Sequence, residues 1–272
     1  MQKKTVFWLA LSALLFLRIP LASWLDHWLP AAWITPVYEV LTYGLIVFLI
    51  WWERQRLAEH HLDFWAILII LIFKPLSVLL LSAIGAAGHP LALPNPAGIA
   101  ILLIALALLG LILWKKVPLG KPTRQGALWF LGGSLAGVVL YVLYGVLMIQ
   151  WFGQPVPPDP GKTAWLAPFY QLGYAAVAEE PLFRGFLWGG LKRANVREGW
   201  ILLIQAVLFA VAHIHLLNTP QPALYLGITF VNALLFGLIV WRSRSLAASL
   251  GMHGFANGSV LAQYWVYALF FM

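Results

Sequence analysis

Apolar residues occur along the chain in long runs, which short polar segments interrupt. Most of these runs approach the ~20 residues that an α-helix needs to cross a bilayer. The predicted spans cover residues 5–22, 33–52, 63–87, 97–114, 126–152, 164–191, 200–217, 223–241 and 246–271. The pattern therefore predicts an all-α protein, a polytopic transmembrane helix bundle with about nine spans.

Basic residues are distributed very unequally between alternate loops of this arrangement. Of the 17 Lys and Arg residues, 13 lie at the N-terminus or in the even-numbered loops, whereas the odd-numbered loops and the C-terminus contain only Lys162. Loops rich in Lys and Arg stay on the cytoplasmic side of a membrane. We therefore expect an integral protein of the plasma membrane with a cytoplasmic N-terminus and an outer C-terminus. The 13 residues are Lys3, Lys4, Arg54, Arg56, Lys115, Lys116, Lys121, Arg124, Lys192, Arg193, Arg197, Arg242 and Arg244.

Composition narrows the functional classes. The formal net charge of +8 would suit a nucleic-acid-binding protein, but the cations lie in short loops between apolar runs, so lipid topology explains them better. Many of the 15 Trp residues, including Trp24, Trp28, Trp51 and Trp52, lie near the ends of runs, as interfacial aromatic belts require. The chain has no Cys, which excludes disulfides and thiolate catalysis.

Ionisable residues within the predicted spans divide the chain into two parts. The first five spans carry Arg18, Glu39 and Lys74, each close to a span end or a proline, where snorkelling, a helix cap or a kink accounts for it. Arg18 also disfavours a signal peptide, because it interrupts the first apolar run. The later spans hold more polar residues. We therefore expect N-terminal transmembrane helices over 1–125 and a catalytic transmembrane core over 126–272.

The polar residues of the sixth span form a compact pattern. Glu180 and Arg184 are four residues apart and share a helix face, which suits an ion pair. Glu179 is rotated by about 100° and must find another partner. Pro181 has no N–H for the carbonyl of Val177 and disfavours helical geometry at Glu180. We therefore predict a neutralised Glu180 beside a free Glu179, in a locally loosened helix.

Three further residues extend this set into a candidate catalytic site. His213 lies on the seventh span, and His253 and Asn257 share one face of the ninth. With a rise of ~1.5 Å per residue, these residues and Glu179 lie roughly 10 to 19 Å from the inner span ends. All four can therefore line one cavity open to the cytoplasm, although any single buried His is as often a hydrogen-bonded core residue.

Amide hydrolysis inside a membrane requires an activated water, donors for the oxyanion and a proton for the leaving amine. Glu179 can act as the base, and His213 can orient the same water. His253 and Asn257 can donate N–H groups to the oxyanion. These residue types therefore predict an endopeptidase that uses a Glu/His-activated water and needs no cofactor.

The same residues fill three motifs in chain order, Glu-Glu-x-x-x-Arg, Phe-x-x-x-His and His-x-x-x-Asn. They are Glu179, Glu180, Arg184, Phe209, His213, His253 and Asn257. Over about residues 165–260 the sequence thereby resembles CAAX prenyl protease 2 and the bacterial Abi or CPBP intramembrane proteases. The first four spans share nothing diagnostic with that family.

This resemblance implies a glutamate-dependent endopeptidase that acts on a membrane-associated polypeptide in the lipid bilayer. The placement of the basic residues in short loops predicts no nucleic-acid partner. The resemblance assigns water activation to Glu179 and His213 and the oxyanion to His253 and Asn257. Glu180, Arg184 and Phe209 then have supporting roles. The resemblance does not imply a prenylated substrate.

Alternative functions remain open on the sequence alone. A zinc-dependent version of the same hydrolysis would use Glu179, His213 and His253 as ligands, although the chain has no His-Glu-x-x-His motif. A proton-coupled membrane transporter would use buried Glu and His as a proton relay, although no internal repeat is visible. A non-catalytic membrane scaffold is the third alternative.

Overall fold

The computed structural model describes residues 2–21, 29–84, 88–153, 161–219 and 221–271. Throughout these ranges the regular elements are helical, and none of the described residues forms a β-strand. The all-α fold class is therefore confirmed. Trp24 and Trp28 of the predicted aromatic belt lie outside the described residues, as do the predicted ends of the first span at 22 and of the third span at 85–87.

We number the helices of the described residues α1 to α10 in chain order. They are α1 (Gln2–Phe16), α2 (Ala31–Trp52), α3 (Phe64–Ala83), α4 (Pro96–Leu113), α5 (Arg124–Phe152), α6 (164–193), α7 (Glu198–Val211), α8 (Pro222–Ser243), α9 (Leu246–Gly258) and α10 (Val260–Phe270). A π-helical turn at Leu17–Leu21 continues α1, and short 3₁₀ turns occupy Leu57–His60 and Ile214–Asn218.

Five of these helices, α2, α3, α4, α5 and α8, are long and apolar enough to cross a membrane, judged by length and composition. α7 and α10 are apolar but shorter. The predicted ninth span is divided between α9 and α10 at Ser259, whose hydroxyl donates to the carbonyl of Phe255 at 2.7 Å. The chain is thus an integral membrane protein by its apolar helices, and the count of nine spans stays a prediction.

The winding of α6 changes several times along its length. Two π-helical turns, Leu172–Ala176 and Pro181–Leu187, flank the short α-helical piece Val177–Glu180. Such π-turns leave a wider helix and recur at functional sites. The helix is therefore loosened at Pro181, as its missing N–H predicts. The expectation that Pro181 would displace Glu180 from helical geometry is wrong, because Glu180 keeps φ −63° and ψ −44° and the π-turn accommodates the proline.

Two glycines of α5 determine how closely α9 approaches. A Cβ on Gly133 would collide with the carbonyl of Ala248, and one on Gly137 would collide with the carbonyl of Met252. Small residues spaced by four let transmembrane helices pack backbone to backbone. The packing of α5 on α9 therefore determines the position of His253, which follows Met252 on α9.

The loops that carry the excess of basic residues meet at one end of the bundle. Arg193 donates to Glu53 at 2.6 Å, and the carboxylate of Glu198 pairs with Arg244 at 2.7 Å and with Lys192 at 2.8 Å. Hydrogen bonds from Arg244 and Lys192 lower the pKa of Glu198 at this loop to about 2. A cavity of about 320 Å³ at this end is lined by Lys3, Lys4, Arg54, Arg56 and Arg193.

Candidate active site

The Glu180–Arg184 ion pair is present and fully buried within α6. The guanidinium donates to Glu180 Oε1 at 2.9 Å and to the carbonyl of Ala233 on α8 at 3.1 Å. Its carbon lies 4.4 Å from the ring centroid of Phe209 on α7. The i,i+4 spacing thus predicted the pair correctly, and Arg184 also connects α6 to α7 and α8.

The imidazole of His253 lies between the two glutamates. Its Nδ1 is 2.7 Å from Glu180 Oε1, and its Nε2 is 3.8 Å from Glu179 Oε2. The ring stacks on Phe236 with centroids 5.0 Å apart. Because a carboxylate accepts hydrogen bonds, this network assigns the Nδ1 proton to the bond with Glu180. Nε2 then donates only when the ring is a doubly protonated imidazolium.

Glu179 is buried, and its two oxygens have different surroundings. Oε1 accepts a hydrogen bond from Nη2 of Arg18, which lies on the π-turn after α1. Oε2 is buried with no hydrogen-bond partner among the described residues. The prediction of a free Glu179 is therefore wrong, since Arg18 pairs with it.

His213 lies one residue beyond the described C-cap of α7, in a turn with φ −105° and ψ 23°. Its Nδ1 is 2.8 Å from the carbonyl of Phe209, so this nitrogen carries the proton and donates it. Nε2 is then an acceptor, 3.1 Å from Arg18 Nη2 and 4.0 Å from Glu179 Oε1. The side chain is partly exposed, so His213 is the accessible edge of the cluster.

Asn257 lies one turn beyond His253 on α9 and is exposed. No described hydrogen bond or ion pair joins Asn257 to the other three predicted catalytic residues. It lines a cavity of about 330 Å³, and the polar lining residues around it come from α5, α6 and α8. They are Tyr141, Tyr144, Gln171, Tyr225, Thr229 and Asn232.

The charged residues of the first spans are also paired, and the interpretation of them as isolated caps, kinks or snorkelling side chains is wrong. Lys74 of α3 donates to Glu39 of α2 in a fully buried ion pair. Arg18 reaches Glu179 across 161 positions of sequence. The sequence could have indicated both pairs, because a buried charge with no partner on its own helix requires a partner on another helix.

The described residues contain no group of three or more His, Cys, Asp or Glu side chains arranged to hold a metal ion. The arrangement gives a physical reason. The guanidinium of Arg18 lies between Glu179 and His213 and contacts both, so a cation already occupies the space between two of the three candidate zinc ligands. In this arrangement the residues do not fit a zinc ion.

One segment of the chain matches a known family of proteases. Residues 161–259 match a family model described as "Rce1-like: Type II CAAX prenyl endopeptidase Rce1-like". All three motifs lie within those residues, so the match confirms the resemblance to the CAAX prenyl protease 2 and CPBP family and supports a protease. No curated protein and no solved structure gave a significant match. Arg18 lies outside the matched segment.

Proposed function

We propose that the protein is an intramembrane endopeptidase that cleaves a membrane-associated polypeptide with a water activated by Glu179 and His213. One observation carries this proposal. The buried carboxylate of Glu179 lies 4.0 Å from the imidazole of His213 and 3.8 Å from that of His253. The three residues come from three different helical segments, all within the residues that match the protease family.

The proposed chemistry follows from these positions. Glu179 takes a proton from the water while the lone pair on His213 Nε2, released by Arg18, orients that water, and the hydroxide attacks the scissile carbonyl carbon. The carbonyl π pair becomes the oxyanion of a tetrahedral intermediate. Glu179 then returns its proton to the leaving amine as the carbon–nitrogen bond breaks, which leaves a new carboxyl end and a free amine.

The oxyanion requires donors that are already in position. An imidazolium at His253, held at Nδ1 by Glu180, presents Nε2–H towards the site. Asn257 is a second proposed donor, for a substrate strand that passes along α9 into the cavity that Asn257 lines. Arg184 and Phe209 support this arrangement by holding Glu180 and His253 in place.

Topology and domain organisation belong to the same proposal. Nine spans, a cytoplasmic N-terminus, an outer C-terminus and a plasma-membrane location are supported by the one-sided basic loops, which meet at one end of the bundle. The division into N-terminal helices over 1–125 and a catalytic core over 126–272 agrees with a family match that begins at residue 161. A reporter fused after Met272 should be active only outside the cytoplasm.

The substrate is proposed to be a polypeptide at the membrane, because the site lies among apolar helices. The matched family is described as a prenyl endopeptidase, and whether this chain needs a prenyl group is measurable. Matched peptides with and without an isoprenoid on the same cysteine should be compared at equal membrane loading, so that lipid partitioning is not mistaken for recognition.

Glu179→Gln tests the proposed function directly. The substitution keeps the size of the side chain and removes the base, so turnover of a membrane-anchored peptide should disappear while peptide binding remains. Glu59→Gln is the matched control, because Glu59 is exposed on the 3₁₀ turn Leu57–His60. Metal content should be measured on both proteins. If Glu179→Gln keeps most of the turnover, the proposal is wrong, and joint loss of turnover and bound zinc would favour the zinc-dependent alternative.

A further inference from the structure

Among the described residues, Arg18 is the site residue that comes from the N-terminal helices rather than from the matched segment. Its Nη2 donates to Glu179 Oε1 and lies 3.1 Å from His213 Nε2. One nitrogen of Arg18 therefore contacts both groups that are proposed to activate the water. The contact joins the end of α1 to two helical segments of the catalytic core.

The charges around the two glutamates explain why Arg18 is needed there. Arg184 is turned towards Glu180, the carbonyl of Ala233 and the ring of Phe209. Among the described Lys and Arg residues, Arg18 is thus the one that pairs with Glu179. The negative charges of the two buried carboxylates are thus balanced by the positive charges of the two guanidinium groups. Loss of Arg18 would leave Glu179 as a buried charge with no bonded cation.

Donors for the oxyanion are scarce in the rest of the site. His253 offers at most one donor, the Nε2–H of its imidazolium form, because its Nδ1–H bonds Glu180. Asn257 contacts neither Glu179 nor His213 among the described residues. Arg18, in contrast, has more hydrogen-bond donors than its two contacts use, because a guanidinium group carries five N–H bonds. Its Nε is buried and has no hydrogen-bond partner among the described residues.

We infer that Arg18 is a catalytic residue whose guanidinium stabilises the oxyanion; this inference rests on the proposed function. When Glu179 takes the proton of the attacking water, its negative charge disappears and an equal charge develops on the carbonyl oxygen. Arg18 then exchanges a carboxylate partner for the oxyanion, so it stays paired throughout the step. The donors that are unused in the resting state gain a partner only as the oxyanion forms, which is the condition for faster turnover.

Turnover of Arg18 variants gives the first test. Arg18→Met should lower kcat by about 10² to 10³, the usual loss for one oxyanion donor, and leave KM unchanged. Arg18→Lys keeps the charge and protects the fold, but an ammonium lacks the planar fork of donors. Its kcat should therefore also fall, by at least about tenfold. A wild-type or increased kcat in Arg18→Lys would overturn the inference.

A binding measurement tests the inference even if Arg18→Met alone does not fold. The double variant Arg18→Met/Glu179→Gln removes both partners of the ion pair and leaves no unpaired charge, and Glu179→Gln alone is its control. A membrane-anchored peptide phosphinate, whose oxygens imitate the tetrahedral oxyanion, should bind the double variant about 10²-fold or more weakly than the control. The uncleaved peptide should bind both proteins equally.

The two experiments separate the inference from the proposed function. Equal phosphinate affinity in the two variants would remove Arg18 from catalysis, whatever Glu179→Gln does to turnover. Persistent turnover in Glu179→Gln would overturn the proposed function instead. A purely structural Arg18 predicts equal losses for phosphinate and uncleaved peptide, which would also contradict the inference.

Discussion

Removal of Arg184 is the perturbation whose magnitude follows most directly from the structure. The side chain is completely buried, and it makes an ion pair with Glu180, a hydrogen bond to the carbonyl of Ala233 and a face contact with Phe209. In Arg184→Ala, Glu180 would remain as a buried charge with only His253 as its partner. Breaking a buried pair on one side costs about 3–5 kcal/mol.

This cost is large compared with total stability. Every 1.4 kcal/mol changes an equilibrium constant tenfold, so about 3–5 kcal/mol lowers the ratio of folded to unfolded protein by about 10² to 10⁴. We therefore expect Arg184→Ala to reduce abundance in the membrane, to lower Tm in detergent and to reduce activity in proportion to the folded fraction. These three quantities should be measured on the same preparation.

Two further variants sharpen the test. Arg197→Ala removes an arginine that is exposed in the loop before α7 and should leave Tm unchanged. Arg184→Met/Glu180→Met removes both buried charges, and replacing a buried pair by apolar residues of similar size is often neutral or stabilising. The double variant should therefore be more stable than Arg184→Ala. If Arg184→Ala instead accumulates normally, melts like the wild type and is inactive, Arg184 is catalytic and its supporting role is wrong.

Two other predictions concern packing and pH. Gly137→Ala should lower the unfolding free energy by about 1–3 kcal/mol, the cost of an overpacked contact, and so lower Tm, because the new Cβ collides with the carbonyl of Met252. Gly132→Ala is the control, because a Cβ there meets open space; equal Tm values would contradict the packing of α5 on α9. Burial, reinforced by Arg244, lowers the pKa of the loop residue His61 from 6.5 to about 4. The unfolded chain then binds the additional proton, so the unfolding free energy should fall as pH drops from 6.5 towards 4. His61→Leu should flatten this dependence in a pH series of melts, and an unchanged slope would refute it.

Several properties of the protein follow from local sequence. Helices α2, α4, α5 and α8 begin and end within two residues of the predicted spans, because each apolar run ends at polar or turn-forming residues. The Glu180–Arg184 pair follows from i,i+4 geometry alone. The loosened winding after Pro181 follows from the missing N–H of proline. The matched segment contains the motif residues in the predicted order.

Other properties depend on how the helices pack against one another. The partners of Arg18 and Lys74 lie 161 and 35 positions away, and no pattern within one helix specifies which charged residue another helix will present. The exposure of Asn257 depends on the rotation of α9, which close packing on Gly133 and Gly137 sets. Periodicity and spacing determine which face of a helix a residue occupies, because the backbone is regular. Interhelical packing decides which residues of other helices that face contacts. The ion pair between Arg18 and Glu179 could therefore be seen only in the tertiary structure.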